Sequence, residues 1–194
     1  MKTDRLKTAP TPARDRLMEA AGRLFYSNGM NATGIDTITA EAGVARKSLY
    51  NNFSSKDELM LAYIDARHAE WLELYEARLA GARSPAEKVL AVFDAYIDHA
   101  EAGSVHGFRG CGLLNAAAEL PVDAAGREAV RRHKEQVESI LVEHLNALER
   151  PDANDLAEHC AFILEGAMTR AGLEGSTDKL VRARCLAEQM LANQ

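Results

Sequence analysis

Residues 33–56 read TGIDTITAEAGVARKSLYNNFSSK. The stretch predicts a short helix, a tight turn, a second short helix and the capped start of a third. Thr33 can N-cap the first helix, with Asp36 in the capping-box partner's place, where Glu or Gln is usual. Ile35, Ile38 and Ala42 then share one face at helical spacing. Gly43 can take the left-handed conformation that a sharp turn demands. Val44 enters the core, and a second helix follows with Leu49 and Phe53 inward. This is a helix-turn-helix, whose second helix is the one that enters a major groove.

Charge on that second helix carries the functional argument. Arg46 and Lys47 sit in its first turn, where two cations oppose the helix dipole at roughly 0.3–1 kcal/mol each. Ala45 stands where Ser or Thr would cap better, a loss of about 1 kcal/mol. A helix needed only for packing would not be built this way. One that presents cations to phosphates or guanine edges would be. The bland alternative is a solvated basic turn.

These residues resemble the DNA-binding motif of the TetR family of transcriptional repressors. The resemblance rests on Thr33, Ile38-Thr39, Ala42-Gly43-Val44-Ala45, Leu49-Tyr50, Phe53 and Ser55-Lys56-Asp57-Glu58-Leu59. Thr39 replaces a typical Ala, Ala45 a Ser or Thr, Lys47 a Gly or Pro, and Asn51-Asn52 a His or Tyr pair. Most departures lie on the DNA-facing side and bear on which operator is read. The match is close over residues 12–60 and loose over the helical remainder. It implies base and backbone contacts from Arg46, Lys47, Ser48, Asn51 and Asn52, and phosphate contacts from Thr33, Tyr50 and Lys56. It further implies a homodimeric repressor, paired through its last two helices and released from a palindromic DNA operator by a small-molecule effector.

Composition fits that division. The chain has 194 residues and a formal charge of -6. Residues 1–56 hold nine Lys+Arg and five Asp+Glu, net +4, and the rest is net -10. A basic head on an acidic body is expected when one end alone touches DNA. No apolar run has membrane-span length and no signal-peptide core is present, so the expected location is the cytoplasm, with no membrane partner. Three cysteines, Cys111, Cys160 and Cys185, give neither a disulfide framework nor metal spacing.

The whole chain reads as all-α, with about nine helices. Residues 1–60 are assigned to the DNA-binding domain, with 1–10 as a disordered arm, and 61–194 to an effector-binding and dimerisation domain. Thr11-Pro12 starts a scaffold helix with Leu17, Ala20, Ala21, Leu24 and Phe25 on one face. S-x-x-E at Ser55–Glu58 opens a long helix to about Leu79, the natural lever between the domains. Ser84-Pro85-Ala86-Glu87 starts another. The glycine-rich stretch 103–112 is loop, and further helices begin at Leu113, Asp123, Pro151-Asp152 and Ser176 or Thr177. Ala161, Gly166, Ala167, Ala171 and Gly172 permit close approach along the last two helices.

In the body, the resemblance points to Trp71, Tyr75, Phe93, Tyr96, Phe108, Leu114 and Asn115 as cavity lining. An aromatic, mostly uncharged lining would suit a hydrophobic effector. Each could equally be plain core. Cys111, flanked by glycines and near Arg109, is either a lining residue or a reactive thiol, which makes a redox-responsive regulator one alternative. A helical small-molecule-binding protein without DNA function is the other. The six histidines offer no metal spacing and no phosphate loop follows a strand, so no catalysis, metal or cofactor is expected.

Overall fold

The computed structural model describes residues 12–102 and 107–192. The arm at 1–10, the Thr11 cap and part of the glycine-rich loop lie outside them. Among the described residues there are nine helices and no strand. They are α1 (Ala13–Asn28), α2 (Ile35–Glu41), α3 (Arg46–Asn52), α4 (Lys56–Leu79), α5 (Pro85–Glu101), α6 (Gly112–Glu119), α7 (Ala125–Asn146), α8 (Ala153–Glu174) and α9 (Asp178–Ala192). The all-α expectation holds.

α1, α2 and α3 close around Leu17, Phe25, Ile38, Leu49 and Phe53, all buried. Each such side chain contributes about 1.5–3 kcal/mol of transfer free energy. The turn between α2 and α3 depends on Gly43, whose φ is +61°. Arg16 braces it by donating from Nη1 to the Gly43 carbonyl at 3.3 Å.

Thr33 does not cap α2. Gly34 holds that position without a side-chain bond, and the Thr33 hydroxyl donates instead to the Gly29 carbonyl at 2.6 Å. Nor is the box at Ser55 reciprocal. The Ser55 side chain accepts from the Glu58 amide, but the Glu58 carboxylate turns to the amide and hydroxyl of Ser54. At Ser84 and Glu87 both arms of the box form. α7 starts at Ala125 rather than Asp123, and Asp152 precedes α8 without a capping bond.

α4 runs from head to body. Leu59 and Tyr63 face α1 and its neighbours, while Trp71 and Tyr75 are buried further along with α5 and α7. In the body, α5 packs on α4, α7 and α9, and α8 lies between α7 and α9. Arg184 of α9 is tied to Asp94 of α5 at 2.6 Å. The small residues of α8 divide between two faces. Ala171 is fully buried, and Gly172 faces the backbone of Arg109 and Gly110, so these serve packing within the chain. Gly166 looks into open space.

Candidate functional site

Two places on the molecule concentrate chemistry. The first is the outer face of α3. With Leu49 buried beneath it, the helix leaves Arg46, Lys47, Tyr50 and Asn51 exposed and Ser48 half-buried. Its N-terminus has no side-chain cap. Arg46 is engaged within the motif: Nη1 lies 3.1 Å from Asp36 Oδ1 of α2, and its guanidinium sits 5.9 Å from the Tyr50 ring centre. Asn52 spends an amide hydrogen on the Ser48 carbonyl at 2.7 Å, one turn back. Lys56 is half-buried at the start of α4. Thr33 is 2% exposed with its hydroxyl bonded inward, so its side chain is turned away from any phosphate.

The second place is an interior cleft between head and body. Its outer part, about 190 Å³, is lined by Arg23, Tyr26, Arg67, His99, Phe108 and glycine backbone. An inner recess of about 20 Å³ shares Arg67, His99 and Gly112 with it and reaches Trp71, Tyr96, Cys111 and His133. On the far side of the 109–111 loop, a groove of about 290 Å³ carries Leu114 and Asn115, with Cys111 between the two spaces. Of the expected lining residues, Trp71, Tyr96, Phe108 and Cys111 thus border the cleft, whereas Leu114 and Asn115 face the separate groove. Phe93 is fully buried core. Tyr75 stacks on Trp71 with ring centres 5.5 Å apart, and its hydroxyl lies 2.6 Å from His144 Nε2. Neither borders the cleft.

Arg23 and Arg67 are the charged side chains among the lining residues, and a polar network stands behind the aromatic wall. Lys134 Nζ is 2.6 Å from Glu165 Oε1 and donates to the Tyr96 hydroxyl at 3.4 Å. That hydroxyl also lies 3.3 Å from His133 Nε2. His133 Nδ1 and His68 Nδ1 face each other at 2.8 Å, so one of the two must carry the hydrogen. Burial, reinforced by Lys134 and the neighbouring histidines, pushes His133 down to about 3. Burial, with Arg67 and Lys134, pushes His99 down to about 4. Both are therefore neutral at pH 7. Burial opposes the Lys134 charge, but Tyr96, Cys111 and Glu165 around it hold its pKa above the ordinary value. Burial also pushes the Tyr96 phenol up.

Sequence reading passed over most of this network. A signal was present: Arg67 falls four residues after Tyr63 and four before Trp71, and His133 falls between Val130 and Val137. Each polar residue interrupts an apolar stripe at helical spacing.

The cleft and the head are joined through α6 and the loop before it. Arg109 donates its backbone N–H to the Tyr26 hydroxyl at 2.6 Å and its guanidinium to the Tyr26 carbonyl at 2.6 Å. At the other end of α6, the Glu119 carboxylate accepts from the amides of Met30 at 3.1 Å and Asn31 at 2.8 Å. Gly29 makes the approach possible, since a Cβ there would lie 2.7 Å from Glu119 Oε1. A hydrogen bond to a charged group contributes roughly 1.5–3 kcal/mol. Glu119→Ala is therefore expected to speed hydrogen exchange at the Met30 and Asn31 amides about tenfold or more, with α5 and α8 unaffected. Unchanged protection at both amides would count against the latch.

Among the described residues no cluster of His, Cys, Asp or Glu could hold a metal ion, and no helix is long and apolar enough to cross a membrane.

Comparison with known proteins bears on the motif and on the whole fold. Residues 17–63 match the family described as bacterial regulatory proteins, tetR family. The HTH-type transcriptional repressor KstR2 of Mycolicibacterium smegmatis is 33% identical over 93 residues, covering 47% of this chain and 45% of that protein. The HTH-type transcriptional activator FasR of the same organism is 32% identical over 96 residues, covering 50% of this chain and 43% of that protein. The chain thus spans somewhat under half the length of these two relatives. A crystal structure of a TetR-family transcriptional regulator from Streptomyces coelicolor superposes with a TM-score of 0.84 at 32% identity, covering 94% of this chain and 97% of that one. A TetR transcriptional regulator from Chloroflexus aurantiacus gives 0.81 at 26%, covering 94% and 95%. With a basic helix-turn-helix at one end, a helical body at the other, and likeness to a regulator over nearly the full length of both chains, this chain belongs to the TetR family of bacterial regulatory proteins.

Proposed function

We propose that the protein is a homodimeric repressor that binds a pseudo-palindromic DNA operator through α3 and leaves it when a small molecule enters the cleft. The observation that carries this reading is the outer face of α3: uncapped, basic, and held by a packed core that the helix's own sequence would not need. Residues up to about 60 serve as the head and the remainder as the effector-binding and dimerisation domain. Arg46, Lys47, Ser48 and Asn51 contact bases and backbone, and Tyr50 and Lys56 grip phosphates. Asn52 joins them only by exchanging its Ser48 partner, and Thr33 contributes scaffold rather than a phosphate contact.

An apolar outer face on the last two helices supports the dimer. Phe162 is 63% exposed and Leu173 80%, both on α8, and Val181 of α9 is 45% exposed. Phe162, Gly166 and Leu173 fall on one side of α8 at helical spacing. A second copy of this face would cover them, as closed twofold association requires. The polar cleft supports an effector with polar groups in place of a purely hydrophobic one. The latch from the cleft through α6 to Met30 and Asn31 gives the effector a path to the head beside the α4 lever. Such an effector acts only through a difference in affinity between the two head positions. Burial of Cys111 disfavours the thiol-sensor alternative.

The test is binding to DNA upstream of the protein's own gene, titrated at several salt concentrations against random competitor. Tight, competitor-resistant binding is the expected result. Weak, sequence-indifferent binding to the operator candidates would favour a binding protein without DNA function. Arg46→Ala and Lys47→Ala are each expected to weaken operator binding about tenfold and to lower the salt slope by about one where the contact is to phosphate. Asp36→Asn frees Arg46 from its ion pair and removes a negative charge, and should raise affinity for random DNA a few-fold, on the scale of an exposed pair at about 0.2–1 kcal/mol. Anisotropy titrations of the three variants check both effects, with dimer mass measured in parallel.

A further inference from the structure

The wall of the cleft is unbalanced in its hydrogen bonding. Arg67 Nε and Trp71 Nε1 are buried donors with no partner among the described residues. Arg67 lines both the outer cleft and the recess, and Trp71, 2% exposed, lines the recess. An unpaired buried N–H loses its hydration without recompense, so two at one cavity call for an acceptor. The charge points the same way. Arg67 and Arg23 border the space, Arg23 already paired with Glu19 and Glu41, His99 and His133 are neutral there, and no Asp or Glu is among the residues lining either part. Yet the chain beyond residue 56 is net -10. An acidic body that keeps carboxylates off one cavity wall and leaves donors unpaired on it is built to admit negative charge and to refuse cations.

Size and surface narrow the class. The outer cleft of about 190 Å³ is bordered by Tyr26 and Phe108. A cavity of roughly 150 Å³ accepts benzene, so there is room for one ring and a short substituent. The recess of about 20 Å³ takes one small polar group. A planar guanidinium fits a carboxylate in particular.

We infer that the effector is a single-ring aromatic acid, its ring in the outer cleft and its carboxylate received by the Arg67 Nε–H and the Trp71 Nε1–H. The inference rests on the effector reading above and adds the chemical class. Arg67 also pairs with Glu70, whose side chain is 44% exposed and can turn to water when a ligand carboxylate takes its place.

Trp71 is the chain's single tryptophan, so its fluorescence reports from the site itself. The full-length protein, without DNA, is titrated with benzoate, phenylacetate and salicylate, and with benzyl alcohol as the neutral match in ring and size. Where the probe itself absorbs or emits, calorimetry replaces fluorescence. Saturable binding of at least one acid is expected, with benzyl alcohol at least tenfold weaker. Arg67→Gln should abolish that preference while helical content and cooperative melting persist. Trp71→Phe keeps a ring and removes the N–H; followed by calorimetry, it should weaken the acid several-fold and leave the alcohol unchanged. Equal affinity for acid and alcohol would overturn the inference, and so would indifference of the acid to both substitutions. So would no binding of any of the three acids into the millimolar range. Because no operator is present, failure here with intact operator binding speaks against the ligand class alone, whereas loss of operator binding speaks against the regulator reading.

Discussion

Urea titrations at pH 7 and pH 5 are expected to differ by roughly 4 kcal/mol in unfolding free energy, with the acid condition weaker. The difference comes from His99 and His133. In the unfolded chain each takes up a proton near pH 6.5. In the folded protein burial and neighbouring cations delay that proton to about 4 for His99 and about 3 for His133. Below pH 6.5 the unfolded chain therefore binds more protons, and acid favours it. The stability is complete above pH 6.5 and is lost as pH falls toward those lower values. At pH 5 each histidine accounts for about 2 kcal/mol. His144, also lowered by burial, adds in the same direction. Glu70 works the other way, since burial raises its carboxyl. His133→Phe should remove close to half of the difference. Equal stability of the parent protein at the two pH values would mean that these histidines are not buried and neutral.

Gly172→Ala is expected to lower stability by about 1–3 kcal/mol, a fall of roughly 3–10 °C in melting temperature for a chain of this size. A Cβ at this position would lie 2.5 Å from both Cα and N of Gly110 and 2.7 Å from the Arg109 carbonyl carbon. These are backbone atoms and have no rotamer with which to move aside. The 109–111 segment must lift from α8, and with it go Gly110 and Cys111, which border the cleft. The variant should therefore also change the Trp71 emission of the free protein. Gly166→Ala is the control. Open space surrounds that position, and alanine is the better helix former by about 1 kcal/mol. If Gly172→Ala melts with the parent and Gly166→Ala does not, the assignment of the two glycines to opposite faces is wrong.

The fold was legible because its signals are local. Leu17, Ala20, Ala21 and Phe25 mark a buried face by spacing alone, and Ser84 to Glu87 spells out a cap that forms in full. Errors arose where one local signal had two outlets. Thr33 has a capping residue's chemistry, yet its hydroxyl finds the Gly29 carbonyl, and Gly34 takes the cap. Glu58 stands at the box spacing but reaches Ser54, one residue further back. The cleft was hidden for a different reason. Its polar members meet across great sequence separation: Lys134 with Glu165, His68 with His133. On their own helices Lys134 and Glu165 read as solvated residues, and only tertiary packing turns them inward. Aromatics such as Phe93 and Trp71 carry the same helical spacing whether they fill a core or border a space, so periodicity could not separate them.

The shortness of α6 has a consequence of its own. Its eight residues span about 12 Å, with Gly112 on the cleft at one end and Glu119 holding Met30 and Asn31 at the other. Two turns of helix have little give, so whatever shifts one end arrives at the other undiminished. On the reading proposed above, sensing and response then share one part. A substitution in α6 that alters which ligand is accepted also alters how far the head is pushed, whereas the walls supplied by α4, α5 and α7 can be retuned without touching the stroke. Drift in ligand preference among descendants of this sequence should therefore accumulate in those three helices and spare α6.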